Sequence, residues 1–223
     1  MVADGHYHVM NRGNNRATVF ASRDDYAAFI RHMGQAGAHA PVAILAACLM
    51  PNHFHLVLAQ PGADDISRWM HWLLTTYGSH HHERNGTSGR LWQGRFKAFP
   101  IEQDAHLLTV MRYVERNALR SGLVQRAERW PWGSLAWRQR DDGQLLAQPA
   151  VPIPHDWVSF VNKPQTPEEL AALRECARRQ RPYGDDAWIR KTAGTHGRDW
   201  TVRPRGRPRC RKIGMSPISS AGP

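Results

Sequence analysis

Pro41-Val42-Ala43-Ile44-Leu45-Ala46-Ala47-Cys48-Leu49-Met50-Pro51-Asn52-His53-Phe54-His55-Leu56-Val57-Leu58 is the stretch from which the architecture is read. The apolar run Val42 to Leu49 is far too short to span a bilayer and has the length of a buried strand. Met50-Pro51-Asn52 forms a turn, because proline pre-sets φ and asparagine readily hydrogen-bonds its own backbone. His53 to Leu58 is then the returning strand, and the two runs predict a hairpin. Side chains two apart on a strand share a face. His53 and His55 therefore project together, and Phe54 points the opposite way, into the core.

Working outward, His6 to Met10 reads as a strand that ends in the turn signal Asn11-Arg12-Gly13-Asn14-Asn15. Asp24 and Asp25 open a helix through Tyr26, Phe29, Ile30 and Met33. Asp64 or Asp65 caps another, through Ile66, Trp69, Met70, Leu73, Leu74 and Tyr77. Arg95 to Ile101 is a further strand. A helix from Asp104 through Leu107, Leu108, Met111, Val114 and Leu119 is predicted to stop at Gly122. Strand, helix, strand, strand, helix, strand, helix is the order of an α+β domain with an antiparallel or mixed sheet. After Trp130-Pro131-Trp132-Gly133-Ser134 the periodicity fades. A capped helix is predicted from Pro167 to Arg179, behind Thr166 and ahead of Glu168-Glu169. The organisation expected is a domain over residues 1–138 and a C-terminal basic extension over 139–223. That extension carries a short helix and a flexible, Arg/Pro/Gly-rich tail.

The 223 residues hold 30 Lys plus Arg against 19 Asp plus Glu, a formal charge of +11. Such a surplus points to a polyanionic partner, nucleic acid ahead of a membrane surface. With no apolar stretch of spanning length and no signal-peptide pattern at the start, no membrane association is expected. Cys48, Cys176 and Cys210 are widely separated and form no CxxC pair, which argues against a zinc ribbon or a disulfide framework. The compartment expected is the reducing cytoplasm.

Two neutral imidazoles on one face can hold a divalent metal. The plain alternative is a pair of half-exposed strand histidines, and His6-Tyr7-His8 is a second HxH that argues for caution. Tyr113 and Asn117, four apart on the predicted helix, share a face. Tyr113 lies between Arg112 and Glu115-Arg116, in what reads as a polar stretch. A phenol must be activated to act as a nucleophile, and a metal-bound phosphate lessens that demand. Asn117 offers a carbonyl oxygen as a third ligand. The competing reading is an ordinary helix tyrosine packed at the sheet edge. His80-His81-His82 reads as a solvated helix end.

Taken in order, five segments resemble the REP-associated tyrosine transposases. Tyr7-His8-Val9-Met10-Asn11-Arg12-Gly13-Asn14-Asn15 is similar to their opening, and Met50-Pro51-Asn52-His53-Phe54-His55-Leu56 to their histidine-hydrophobic-histidine motif. Leu91-Trp92-Gln93-Gly94-Arg95-Phe96-Lys97 is similar to the segment leading into the following strand. Arg112-Tyr113-Val114-Glu115-Arg116-Asn117 is similar to the nucleophile helix, and Trp130-Pro131-Trp132-Gly133-Ser134 to the stretch after it. Motifs in fixed order are far more specific than any one alone. The resemblance implies a ferredoxin-like antiparallel sheet with helices packed on it. It implies Mg2+ or Mn2+ on His53, His55 and Asn117, and attack by Tyr113 on single-stranded DNA that forms hairpins, such as repetitive extragenic palindromes. The products would be a 5′-phosphotyrosine and a free 3′-hydroxyl, whose reversal rejoins strands. The family usually has Asn-Pro where this chain has Asn117-Ala118, so the helix end is expected to differ.

Arg12, Arg16, Arg90, Arg95 and Lys97 are the candidate phosphate contacts, with Tyr7, Trp92 and Phe96 nearby for base stacking. Core packing is the competing role for Phe96. Arg205, Arg207 and Arg209 sit in an Arg-Gly-Arg-Pro-Arg tail that resembles a minor-groove hook or serves as a simple tether. The length beyond the catalytic segments favours a monomer over a dimer. A non-cutting hairpin-binding protein, an RNA-processing protein and a replication initiator of the same superfamily are the rival functions.

Overall fold

The structure, a computed structural model, describes residues 1–140 and 145–203. The elements in order are β1 (Gly5–Arg12), α1 (Arg23–Ala36), β2 (Ala43–Met50), β3 (His53–Gln60), α2 (Asp65–Asn85), β4 (Lys97–Ile101), α3 (Ala105–Glu115), α4 (Asn117–Arg120), α5 (Ser134–Gln139), α6 (Trp157–Asn162), α7 (Pro167–Arg179) and α8 (Asp186–Thr195). The sheet is antiparallel throughout, in the order β2-β3-β1-β4. Helices pack on it as expected for the ferredoxin-like, α+β class.

The β2–β3 hairpin forms as predicted. Its register places Cys48 and Met10 beside His55, and Met50 and Arg12 beside His53. Since strand side chains alternate, the two faces separate cleanly. Tyr7, Val9, Phe54, Leu56 and Leu58 pack with Phe29, Met33, Trp69, Met70 and Leu73 of α1 and α2. Cys48, Met50, Val57 and Phe99 pack with Leu107, Val110, Met111 and Val114 of α3. A bulge between Ile44 and Ala46 turns Leu45 and Ala46 to the same α3 face. Each fully buried side chain of this kind contributes about 1.5–3 kcal/mol, so α3 is held against the histidine face of the sheet by a continuous apolar layer.

Local chemistry accounts for the helix ends. Ser22 and Asp25 form a reciprocal capping box at the start of α1, and Thr166 with Glu169 does the same for α7 behind Pro167. Gly86 closes α2 at φ 60°, a conformation that favours glycine. Gly13 is needed for space. A Cβ there would lie 2.3 Å from the Ala17 carbonyl oxygen and 2.7 Å from Val19 Cγ2.

Four sequence expectations are corrected. The helix predicted to run to Leu119 ends at Glu115, because Arg116 (φ −80°, ψ −6°) tightens the chain before α4 resumes. The strand predicted from Arg95 starts at Lys97, since the Gly94 carbonyl accepts from Asn11 Nδ2 (3.0 Å) outside the ladder. Residues 139–167 contain α6, too short for its period to register, and α8 follows α7. The helix-end histidines are half-buried rather than free in solvent. His82 ties α2 to its loop through Thr87 Oγ1 (2.9 Å) and the Gly89 carbonyl (3.0 Å), and His80 lies against His32.

Residues 145–203 wrap the sheet: Leu145 and Leu146 pack with the α1–α2 side, and α6 and α7 join the α3 side. The Ala147 N–H donates to the Ile44 carbonyl (2.9 Å), and Tyr183 brackets the end of β4 through Pro100 and Glu102. Trp157, Val161, Leu173 and Cys176 enter the same apolar layer as α3. Gly133 bridges Cys48, and the Leu49 N–H donates to the Trp132 carbonyl (2.9 Å), covering the otherwise open edge of β2.

Candidate active site

His53 and His55 share a face as their spacing requires, with ring centroids 5.1 Å apart and planes at 83°. His53 is oriented by Asn52. Asn52 Nδ2 donates to the Arg16 carbonyl (3.1 Å), so its Oδ1 accepts from His53 Nδ1 (2.7 Å). That places the His53 proton on Nδ1 and leaves the lone pair on Nε2. His55 is buried, and its Nδ1 lies 2.9 Å from Nε2 of His8, also buried. Burial lowers His53 to about 4 and His8 to about 3. Burial also holds His55 well below the usual imidazole range, helped by His8, His53, Arg120 and Arg12. All three rings are thus neutral at physiological pH, the form in which imidazole is a ligand.

Tyr113 comes to this pair from α3. Its ring meets His55 edge-on at 6.0 Å between centroids and His8 at 6.2 Å. The Arg120 guanidinium lies 4.3 Å from the centre of the Tyr113 ring, and its Nη2 donates to Asn117 Oδ1 (2.8 Å). One guanidinium therefore joins the tyrosine and the asparagine even though the helix breaks at Arg116. Asn117 is buried and its Nδ2 has no partner among the described residues. The donor set, two neutral imidazoles and an amide oxygen, suits a divalent ion, with the Asn117 oxygen already shared with Arg120. Arg120 and Arg12 also place positive charge near the imidazoles, which suits a phosphate arriving with such an ion.

Three residues to which the sequence analysis gave no part in the site belong to this arrangement. Asn52 orients His53, Arg120 joins Tyr113 to Asn117, and His8 meets His55. Asn52, adjacent to the motif in a turn, and His8, in a second HxH pair, carried local signals, and Arg120 carried none. His8 is brought in by the β1–β3 register, and Arg120 by the turn at Arg116.

The polar stretch around Tyr113 is not solvated. Glu115 is buried, and its carboxylate accepts from Ser134 Oγ (2.6 Å), Trp157 Nε1 (2.6 Å) and Arg138 Nε (3.2 Å). Ser134 Oγ also accepts from the Ala47 N–H (3.0 Å). Arg112 Nη2 donates to the carbonyls of Lys163 (2.8 Å) and Pro164 (3.1 Å), and its guanidinium sits 4.0 Å from the Phe160 ring centre. Arg116 donates to the carbonyls of Val161 (3.0 Å) and Asn162. The charged neighbours of Tyr113 fasten α3 to α5 and to the end of α6.

The candidate DNA contacts among the described residues fall into one region. The Asn14 N–H donates to the Leu91 carbonyl (2.8 Å) and the Gln93 N–H to the Arg12 carbonyl (2.9 Å), so the loops bearing Arg12, Arg16, Arg90 and Arg95 run together. The first also abuts the histidine turn, through Gly13 N–H to the Asn52 carbonyl (2.8 Å). Arg16, Arg90, Arg95 and Lys97 are exposed. Arg90, Arg95, Lys97, Arg198 and Phe96 help line a cleft of about 910 Å³. Tyr7 and Trp92 are not available for base stacking. Tyr7 is 1% exposed with its hydroxyl accepting from the Val2 N–H, and the Trp92 indole donates to the Leu74 carbonyl from within the core. Phe96 remains partly exposed. Arg205, Arg207 and Arg209 lie outside the described residues.

Among the described residues, Glu102, Asp104 and His106 form another cluster of metal-ligand type. It sits at the opposite end of β4, about 15 Å along the strand from the level of His55 at ~3.4 Å per residue. Its oxygens have structural work. Asp104 caps α3 through the His106 N–H (2.7 Å), and Glu102 accepts from the Asp185 N–H (2.7 Å) ahead of α8. Cys48 and Cys176 are free and buried. No helix among the described residues is long and apolar enough to cross a membrane.

Comparison with known proteins bears on the family and the fold. A Haemophilus influenzae protein assigned to the REP-associated tyrosine transposases is 27% identical over 108 residues, 44% of this chain and 61% of the relative. The chain thus matches about three fifths of that relative's length. A solved structure of a REP-associated tyrosine transposase bound to a REP hairpin superposes with a TM-score of 0.53 at 21% identity, covering 66% of this chain and 84% of that one, which supports the fold. The family model for IS200-like transposases matches residues 1–117, just over half of the 223. The chain belongs to the IS200-like transposases.

Proposed function

We propose that this protein is a divalent-metal-dependent, single-tyrosine endonuclease and strand transferase for hairpin-forming single-stranded DNA. The observation that carries the proposal is the placement of Tyr113 edge-on to His55, with Asn117 and Tyr113 joined by Arg120. His53, His55 and Asn117 would hold Mg2+ or Mn2+, and the nitrogen-rich set favours Mn2+. A bound divalent ion would draw charge from the oxygens of the scissile phosphate.

Tyr113 Oη attacks phosphorus in the DNA backbone, forming the O–P bond as the bond to the 3′-oxygen breaks. The tyrosine loses its proton and the departing 3′-oxygen gains one, leaving a 5′-phosphotyrosine and a 3′-hydroxyl. A second 3′-hydroxyl reverses the exchange, so the number of phosphodiester bonds is conserved and no external energy source is needed. Arg120 stabilises the phenolate through its position over the ring and pairs with the phosphate. Exposed Arg16, Arg90, Arg95 and Lys97, with Arg12 beside His53, hold the flanking strand through its phosphates. The tail arginines Arg205, Arg207 and Arg209 supply a further DNA tether. The hairpin substrate class follows the relatives, one of which was solved on a REP hairpin. The protein acts in the cytoplasm as a monomer.

The test is a cleavage assay on hairpin-bearing single-stranded DNA with Mn2+ or Mg2+, with Tyr113→Phe beside the parent. A metal-dependent covalent protein–DNA adduct that disappears in Tyr113→Phe is expected. Hairpin binding without adduct, across several sequences and both metals, would assign the non-cutting function instead.

A further inference from the structure

His8 has no role in the scheme above, and packing alone does not account for it. It is 1% exposed, with Phe99 at 4.8 Å and Tyr113 at 6.2 Å between ring centroids. A phenylalanine would fill such a site without burying two ring nitrogens. His8 Nδ1 has no partner among the described residues, so the imidazole carries a desolvation cost that nothing there offsets. Its other nitrogen, Nε2, makes one contact, the 2.9 Å approach to His55 Nδ1.

That contact repeats what Asn52 does for His53. There an acceptor oxygen takes the Nδ1–H and leaves Nε2 with its lone pair. A histidine that ligates through Nε2 must carry its proton on Nδ1, and a fixed acceptor for that proton sets both tautomer and ring angle. We propose that His8 is a positioning residue for the metal site, accepting the Nδ1–H of His55 at its own Nε2 and so keeping the His55 Nε2 lone pair for a divalent ion. The second histidine pair in the chain, His6-Tyr7-His8, thereby contributes to the site without supplying a ligand. The inference rests on the proposed metal-binding role of His53, His55 and Asn117.

The experiment is Mn2+ binding to the full chain, read from the electron paramagnetic resonance signal of the free ion, for the parent, His8→Phe and His8→Gln. His8→Phe keeps the ring volume and removes the acceptor, and the expected loss of Mn2+ affinity is about 10- to 100-fold. His8→Gln restores an acceptor oxygen and is expected to recover most of that loss. Far-UV circular dichroism and thermal melts check that both variants fold. Equal Mn2+ affinity in the parent and His8→Phe overturns the inference and leaves the proposed function standing. A parent that takes up no Mn2+ overturns the metal reading itself. If His8→Phe does not fold, long-range proton–nitrogen correlation on the Mg2+-loaded parent decides the matter. A proton on His55 Nδ1 supports the role, and a proton on His55 Nε2 overturns it.

Discussion

Replacing Glu115 with glutamine changes one oxygen to an amide nitrogen in a buried hub that serves three donors. One carboxylate oxygen accepts from Ser134 Oγ and Arg138 Nε, and the other from the Trp157 indole. Either orientation of the amide sets its NH2 against an N–H that cannot turn away, Arg138 in one case and Trp157 in the other. Ser134 can rotate its hydroxyl and adapt. One buried donor is thus left unpaired, at about 1–3 kcal/mol, and the surviving bonds lose the strength that the carboxylate charge lent them. The Arg138 side chain, 15% exposed, also loses its counter-charge. We expect Glu115→Gln to lower unfolding stability by about 3 kcal/mol and Glu115→Ala by about 4–5 kcal/mol, in the range for breaking a buried pair. Urea unfolding followed by tryptophan fluorescence measures both. A double-mutant cycle sharpens the test. In a Trp157→Phe background the indole donor is gone, the amide can orient toward Arg138, and Glu115→Gln is expected to cost about 1–2 kcal/mol less. A Glu115→Gln cost under about 0.5 kcal/mol, or strict additivity with Trp157→Phe, would refute the idea that this carboxylate clamps α3 to α5 and α6.

The imidazoles give a pH signature. His8 titrates at about 3 when folded and near 6.5 when unfolded, so below pH 6.5 only the unfolded chain takes up that proton. Stability is complete above that value and falls on acidification until the folded value is reached. His8 alone accounts for about 2 kcal/mol of loss at pH 5, and His53, lowered to about 4, adds to it in the same direction. Unfolding free energies at pH 7.5 and 5.0 check this, and a His8 ring that titrates near 6.5 by NMR would contradict it. Gly13→Ala is expected to destabilise by about 1–3 kcal/mol, since its Cβ meets the Ala17 backbone and the buried, β-branched Val19 side chain; a thermal melt matching the parent would show that the loop yields. Removing Arg90, Arg95 and Lys97 together is expected to flatten the dependence of log affinity on log salt for hairpin DNA by about 2 units, at ~0.7 per single-strand phosphate contact. An unchanged slope would place the DNA elsewhere.

The order of elements, the hairpin and the shared face of His53 and His55 were legible in the chain, because alternation along a strand is a local property that adjacent residues determine. The capped starts of α1 and α7 were legible for the same reason, a side chain bonding a backbone three residues away. The motif order also located Tyr113 and Asn117 on neighbouring turns. What lay beyond local reading depends on register and packing. The β1–β3 register carries His8 to His55 across 47 residues, and the fold of residues 157–164 onto α3 converts Arg112, Glu115 and Arg116 from an apparent polar face into buried fasteners. The tertiary structure likewise took Tyr7 and Trp92 out of reach of DNA, because apolar area was better buried under the sheet than offered to a base. The chain's own motifs singled out the residues to which the proposed chemistry is assigned. The tertiary structure decided which partners orient them, since a hydrogen bond across distant segments forms only once the apolar layers have fixed where those segments lie.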